Sequence, residues 1–565
     1  MKPQPSPKAY SENEVVRLVW LAIFISVFSF LFYQRRGDVL LYGDAVAHIN
    51  IARRVFDSQT PGPLQLGTVW LPLPHLLILP FIVWNTMWQN GLGGSIPSMA
   101  GFVLGTLGIF RLARTVLSHS GEPDEEAKIW SWLAALAYAG NPNLIYMQTT
   151  AMGESLYLAF FIWTVVYFVE FHRQKDQAKA DRFLTKSGLC LAAACLTRYE
   201  GWFLAALMVV TVVALAFRGG KGAEQGTPIP SKPAVVRFVL IAAAAPALWL
   251  AYNAAVYRNP FEFVNGPYSA RAIEARTSTV NPAKGNLVAA GSHFLKAAEL
   301  NVAEPAWEGR VWLVLALAGA LAAIFTARGR AALLLWAPLP FYALAVAYAS
   351  VPIFVPPWWP FSSYNARYGL ELLPAFAVFG PLGISFLAQF AFRMGRPKAE
   401  SGGWAQFAAI VVWLVLMIAS YGSIWKAGAA CYREAATNMR GRVELDKQLA
   451  GWFQSFPPQS TLLMYLGEHS GALEQAGIPL RQVINEGNHR VWKQPVDPEG
   501  LWERALANPS AYADLVIGFE GDPVWKAAKA ARLIELIEIH TTGQPPAAIF
   551  QGRRPERPAM TGNVR

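Results

Sequence analysis

The chain has 565 residues, of which 54% are hydrophobic and only 15% charged, and its mean hydropathy of +0.28 excludes an ordinary soluble domain as the whole answer. A net charge of +11 does not indicate nucleic acid, because Lys and Arg are scattered among short loops instead of forming a basic stripe interleaved with aromatics. Three cysteines, Cys190, Cys195 and Cys431, cannot build a disulfide framework and read as packing residues.

In chain order, residues 1–14 read as a cytoplasmic N-terminus. Val15 to Tyr33 is long and apolar enough to cross a bilayer; Gln34, Arg35 and Arg36 follow it without a small-residue cleavage site, so it reads as a retained first membrane helix. The next segment, 34–87, is expected to be external. Within it Asp44 and His48 are four residues apart, so a helix brings an acid and an imidazole to one face at the membrane surface. An interfacial helix with an Asp favoured near its N-terminus and a solvated His gives the same pattern. Trp70 to Trp84 is apolar but short and carries Pro72, Pro74, His75 and Pro80, which predicts an interfacial or re-entrant stretch buried against protein.

Further spans are predicted at 88–113, 129–147, 154–171, 184–198, 202–217, 235–256, 311–327, 331–350, 369–392 and 404–426, eleven with the first. Glu154 stands where one span ends and the next begins. A carboxylate entering the apolar region costs roughly 2.5 to 3.5 kcal/mol, so it needs a partner there, unless it is a solvent-exposed acid at a helix N-terminus. Arg198-Tyr199-Glu200 makes a tight external turn at the same depth, and 219–234 reads as a flexible cytoplasmic linker. The segment 257–310 is predicted to be external, with Arg258, Arg271 and Arg276 as weak candidates for an anion site. Arg367-Tyr368 opens a late span. A guanidinium beside the amides of a helix N-terminus is a favourable setting for a phosphate and a mildly unfavourable one for a purely structural charge. Residues 427–565 read as a small extracytoplasmic α/β domain, with strands at Thr461 to Leu466 and Ala513 to Phe519 and an amphipathic helix from Pro523 to Ile539.

Charge decides the orientation. With 70–84 not crossing, the loops on one side carry 17 Lys and Arg, against two, Arg198 and Arg367, in the short loops on the other. The positive-inside rule then puts the N-terminus in the cytoplasm and the C-terminal domain in the periplasm or outside, in a multi-pass protein of the inner membrane. The chemistry-bearing residues all fall on the outer side. No Gly-rich phosphate loop, His-Glu-x-x-His, Gly-x-Ser-x-Gly or paired Cys spacing is present.

An Asp early in the first external loop (Asp44), the Pro-rich stretch Leu71-Pro72-Leu73-Pro74-His75, an acid at Glu154 and the pair Arg367-Tyr368 occur in the order and sidedness of the GT-C superfold. Over residues 10 to 430 the chain resembles that superfold, in the branch of dolichyl-phosphate-mannose protein mannosyltransferases and bacterial lipid-A aminoarabinose transferases. The resemblance implies an all-α polytopic membrane domain over 15–426 and transfer of a sugar from a polyprenyl-phosphate donor to a lipid, protein or glycan acceptor. It also implies that the first-loop acid is the base and that Arg367, Tyr368, Arg198 and Arg258 hold the donor phosphate. His48, Glu154, Glu200 and Arg271 stand as supporting residues. Asp44 is followed by Ala45 where the protein mannosyltransferases carry Asp-Glu, so no cofactor is assigned and divalent-metal dependence is left open.

The donor brings its own leaving group, so the enzyme must align a hydroxyl with the anomeric carbon and accept its proton; a single displacement predicts inversion. Scattered charges among spans also suit a transporter or lipid flippase, which keeps its binding residues near the midplane in inverted repeats. The polar set here is interfacial and no repeat is visible.

Overall fold

Ser11 and Glu14 cap one another's amides at the start of the first helix, Glu12–Arg36, and Gly37, left-handed at φ 75°, ends it behind Arg35 and Arg36. One side of this helix buries Leu18, Ala22 and Phe30 while Trp20, Phe24 and Phe28 stand exposed, as suits an outer face that meets lipid. The computed structural model describes residues 11–117, 125–218, 228–276, 280–395, 403–467, 469–488 and 500–553. The predicted linker 219–234 is described only from 228, and Lys221, Arg396, Lys398 and Glu468 lie outside the described residues.

Among the described residues nine helical stretches are long and apolar enough to cross a membrane, and the protein is a multi-pass membrane protein. Two of the eleven predicted spans take other forms. The stretch 129–147 is two helices, Glu125–Ala139 and Pro142–Met147, because Asn141 caps the second through its side chain and Pro142 occupies the first helical position. The stretch 184–198 is the end of a helix, Gln177–Cys195, whose first half carries Lys179, Asp181, Arg182 and Lys186. Residues 70–84 hold only the seven-residue helix Pro72–Ile78, about 10 Å long and too short to cross. The late span opens as a 3-10 turn, Ala366–Leu372, before Leu373–Gly395.

Helix Glu154–Phe171 is central, packed between Leu92–Leu117 and Gln177–Cys195. Helices Ala306–Ala323 and Leu373–Gly395 approach backbone to backbone at two glycines: a Cβ on Gly319 would fall on the carbonyl oxygen of Phe379, and one on Gly383 on that of Leu315. At the end of the central helix away from Glu154, Arg111 pairs with Glu170 at 3.0 Å and Arg114 with Glu14 at 3.0 Å.

After the apolar helix Gly403–Ala427, Gly428 (φ 86°) turns the chain into a polar helix, Ala430–Phe453. It leads to a five-stranded sheet of order β2-β1-β3-β5-β4, with β1 (Leu462–Met464) parallel to β2 (Val483–Ile484) and β3 (Leu515–Phe519), and β5 (Ala547–Gln551) antiparallel to β3 and to β4 (Glu535–Ile539). Alternation along β1 divides its faces: Leu462 and Met464 join the core that continues into the membrane region, while Leu463 joins a second cluster with Ile484, Val516 and Phe550. The helix predicted from Pro523 to Ile539 stops at Ala530. Arg532 turns left-handed at φ 52°, and the stretch after it, which carries Ile534, Ile537 and Ile539, leads into the edge strand β4.

Candidate active site

Three acids open helices at one end of the bundle. Asp44 lies in the first turn of Gly43–Arg54, Glu154 begins Glu154–Phe171, and Glu200 begins Glu200–Arg218; each carboxylate therefore sits at the positive end of a helix dipole. Two arginines tie them together. Arg367 donates from Nη2 to Asp44 Oδ2 at 2.6 Å, across 323 residues of sequence, and from Nε to Glu154 Oε1 at 3.1 Å. Its Nη1 lies 3.5 Å from Glu434 Oε1. Arg198 donates from Nη1 to the same Glu154 Oε1 at 3.0 Å and from Nη2 to Glu200 Oε1 at 2.8 Å, and its Nε lies 3.4 Å from Glu371. The hydroxyl of Tyr342 lies 2.5 Å from Glu200 and 2.8 Å from Glu371.

Aromatic faces cover both guanidiniums. The Tyr368 ring lies 5.0 Å from the Arg198 carbon and 5.2 Å from that of Arg367, and Tyr42 covers Arg367 at 5.1 Å. The sequence places Arg367 beside helix-terminal amides, and in the structure Glu434 occupies those amides, accepting from Asn365 N at 3.1 Å and Ala366 N at 2.8 Å. Burial then separates the five acids. The side chains of Glu154, Glu200, Glu371 and Glu434 are 1%, 8%, 0% and 2% exposed, while that of Asp44 is 39% exposed. Asp44 is the one acid of the group with open access to solvent, and its second carboxylate oxygen accepts no hydrogen bond from the described residues.

His48 shares the helix of Asp44, as the spacing predicts, but the two do not pair. His48 is buried, its Nδ1 lies 2.8 Å from His75 Nε2, and Trp70 packs on its ring at 4.8 Å. Burial holds its pKa down at about 4, with the charges of Asp44 and Glu154 opposing and those of Arg198 and Arg367 adding. The expectation of a solvated imidazole is corrected by this packing. Arg258, left-handed at φ 57°, ends helix Lys232–Tyr257, and Arg271 lies in Ala270–Arg276; both are exposed, and the ion-pair group forms without them. Among the described residues no group of three or more His, Cys, Asp or Glu side chains is arranged to hold a metal ion; every acid of the cluster already has an oxygen on a guanidinium.

Sequence reasoning passed over Glu371, Tyr342, Glu434 and Tyr42. Glu371 had a signal, being an acid inside a predicted span. Tyr342 and Tyr42 look like ordinary apolar-region aromatics, and Glu434 sits on a polar helix whose composition does not set it apart.

No protein-family model and no curated protein matches the chain. Among solved structures it is similar to ArnT from Cupriavidus metallidurans bound to undecaprenyl phosphate, at 12% identity and a TM-score of 0.56, over 97% of this chain and 100% of that one. It is likewise similar to the apo state of that protein, at 13% identity and a TM-score of 0.55, over 95% and 98% of the two chains. At such identity the likeness is one of fold: an all-α polytopic GT-C architecture with a small C-terminal sheet.

Proposed function

We propose that this GT-C-fold chain is a glycosyltransferase that moves a sugar from a polyprenyl-phosphate donor to a hydroxyl outside the cytoplasm, with Asp44 as the base. The supporting observation is the Asp44–Arg367 contact at 2.6 Å, in which the only solvent-accessible acid of a buried charge group is held by one oxygen while the other is open. Fold likeness to ArnT bound to undecaprenyl phosphate favours a donor of that lipid class.

In this reaction the acceptor oxygen attacks the anomeric carbon, the bond from that carbon to the phosphate oxygen breaks, and the acceptor proton passes to Asp44. A positioned base contributes roughly 10²- to 10⁴-fold in rate. The contacts suggest how the two ends of the reaction are coupled. Arg367 Nη2 is engaged by Asp44 at the start; as Asp44 takes the proton and loses its charge, that donor is released to the phosphate, whose charge is growing. Arg198, Tyr368 and Arg258 complete the proposed phosphate side. One displacement inverts the anomeric carbon. The topology proposed with it has the N-terminus in the cytoplasm and the Asp44 end facing the outer side of the inner membrane, with a domain boundary at 426/427.

The test is mass spectrometry of envelope lipids and glycans from a deletion strain, before and after complementation. One missing sugar, restored by the wild-type chain and not by Asp44→Asn, is the expected result. An unchanged envelope, or full restoration by Asp44→Asn, refutes the proposal.

A further inference from the structure

Helix Ala430–Phe453 belongs by sequence to the C-terminal region, yet it reaches both Arg367 and the segment that leads into Asp44. Cys431, Glu434 and Arg442 fall on one of its faces, since eleven residues make about three turns. At one end, Glu434 takes the amides of Asn365 and Ala366 at 3.1 and 2.8 Å and lies 3.5 Å from the Arg367 guanidinium. At the other, Arg442 donates from Nη2 to the carbonyls of Leu40 and Leu41 at 3.2 and 2.9 Å, just ahead of the helix that carries Asp44, and is braced by Asp446 at 3.0 Å. In the first turn of Ala430–Phe453 the carbonyl of Cys431 accepts at 2.9 Å from the hydroxyl of Tyr42, the residue before the Asp44 helix, and between Glu434 and Arg442 Asn438 donates to the carbonyl of Ser363 at 2.8 Å. Glu434, Arg442 and Asp446 are all buried.

We infer that this helix is a clamp that sets the distance between Asp44 and Arg367, with Glu434 and Arg442 as positioning residues. Glu434 fixes the backbone and the guanidinium fork on the arginine side, and Arg442 fixes the chain leading into Asp44. Neither side chain touches the open oxygen of Asp44. The C-terminal region is thus part of the catalytic geometry. The inference rests on the proposed transferase reading, because it concerns turnover.

The experiment uses the full chain in the deletion strain and reads the initial rate at which the missing sugar reappears after induction, divided by the amount of folded protein in the membrane. Glu434→Gln keeps the size but turns an N–H₂ toward one backbone amide. It should lower the normalised rate about 10- to 100-fold, as a misplacement near 1 Å does, and Glu434→Asp should recover part of the loss. Arg442→Lys keeps the charge and gives up the fork; it should also lower the normalised rate, and it decides the matter if Glu434→Gln does not accumulate. Arg433→Gln, on the same helix but removing a half-exposed pair with Glu304, should match the wild type. A fall in protein amount with an unchanged normalised rate, or no partial recovery in Glu434→Asp, overturns the clamp. Asp44→Asn in the same strain separates the two ideas: if it is inactive while Glu434→Gln and Arg442→Lys turn over normally, the clamp alone fails, and if it is active the transferase reading fails.

Discussion

Replacing Glu154 tests what holds the charge group together, because two opposite results follow from two physical accounts. The group contains five carboxylates and two guanidiniums. If the excess of negative charge dominates, removing one acid relieves repulsion and stabilises the fold. If local hydrogen bonding dominates, removing Glu154 is the worst choice among the five, since its Oε1 alone accepts from both arginines, at 3.0 and 3.1 Å, in a side chain only 1% exposed. A hydrogen bond to a charged group contributes about 1.5 to 3 kcal/mol. Glu154→Gln keeps an oxygen in place but makes both bonds neutral on the acceptor side, roughly halving them, for a loss of about 1.5 to 3 kcal/mol in all. Glu154→Leu removes both acceptors. Each arginine keeps two other carboxylates, so the loss should fall near the lower end of the 3 to 5 kcal/mol typical of a broken buried pair, about 3 kcal/mol. Thermal unfolding of the purified chain in detergent should therefore rank wild type above Gln and Gln above Leu. A Leu variant as stable as the wild type, or more stable than Gln, would show that the arginine bridge does not hold the cluster.

Two more outcomes are expected. Glu474, buried against Asn50 of the Asp44 helix at 2.8 Å, has its pKa pushed up to about 8 by burial, with Asn50 and Arg442 opposing; the folded chain then holds a proton that the unfolded chain gives up in the ordinary carboxylate range, so stability falls as pH rises toward about 8 and levels off above it. Glu474→Gln should remove that slope and be the more stable form near pH 9, read from unfolding temperatures across the range. Gly383→Ala should destabilise the Ala306–Ala323 and Leu373–Gly395 pair, since its Cβ would fall on a backbone carbonyl that cannot move aside as a side chain can; an unfolding temperature equal to wild type would show that the two helices are not held at that distance.

Most of the membrane architecture is legible because a span needs only length and apolarity, and both are local. Asp44 was legible as an acid in the first external segment, Arg367 as a charge at the start of a span, and Glu154 as an acid that must find a partner. What local reasoning lacks is the identity of partners. It set Asp44 against His48 on helical spacing, yet burial beside His75 claims the imidazole, and the acid turns to a residue 323 positions away. Within 129–147 the helix breaks at Asn141-Pro142, a helix-start signal inside an apolar run that a hydropathy window averages out. Glu434 left no trace, because a helix that closes a membrane site has the same polar composition as one that faces water.

The cluster's place at the helix ends follows from its charge. Two guanidiniums and five carboxylates at the bilayer centre would each bear a cost of several kcal/mol, whereas at one end the N-terminal dipoles of three helices favour the acids and solvent reaches Asp44. The same excess of acid poses a problem for an anionic donor, since a phosphate approaching this group meets repulsion as well as two arginines already engaged. In the proposed reaction the difficulty resolves itself: the proton leaving the acceptor cancels one negative charge at Asp44 as another develops on the phosphate, so charge is moved across the face of Arg367 and not added to the site. An acid that holds the arginine only while ionised thus keeps the phosphate grip loose until the acceptor hydroxyl is in place, which disfavours loss of the sugar before an acceptor has bound.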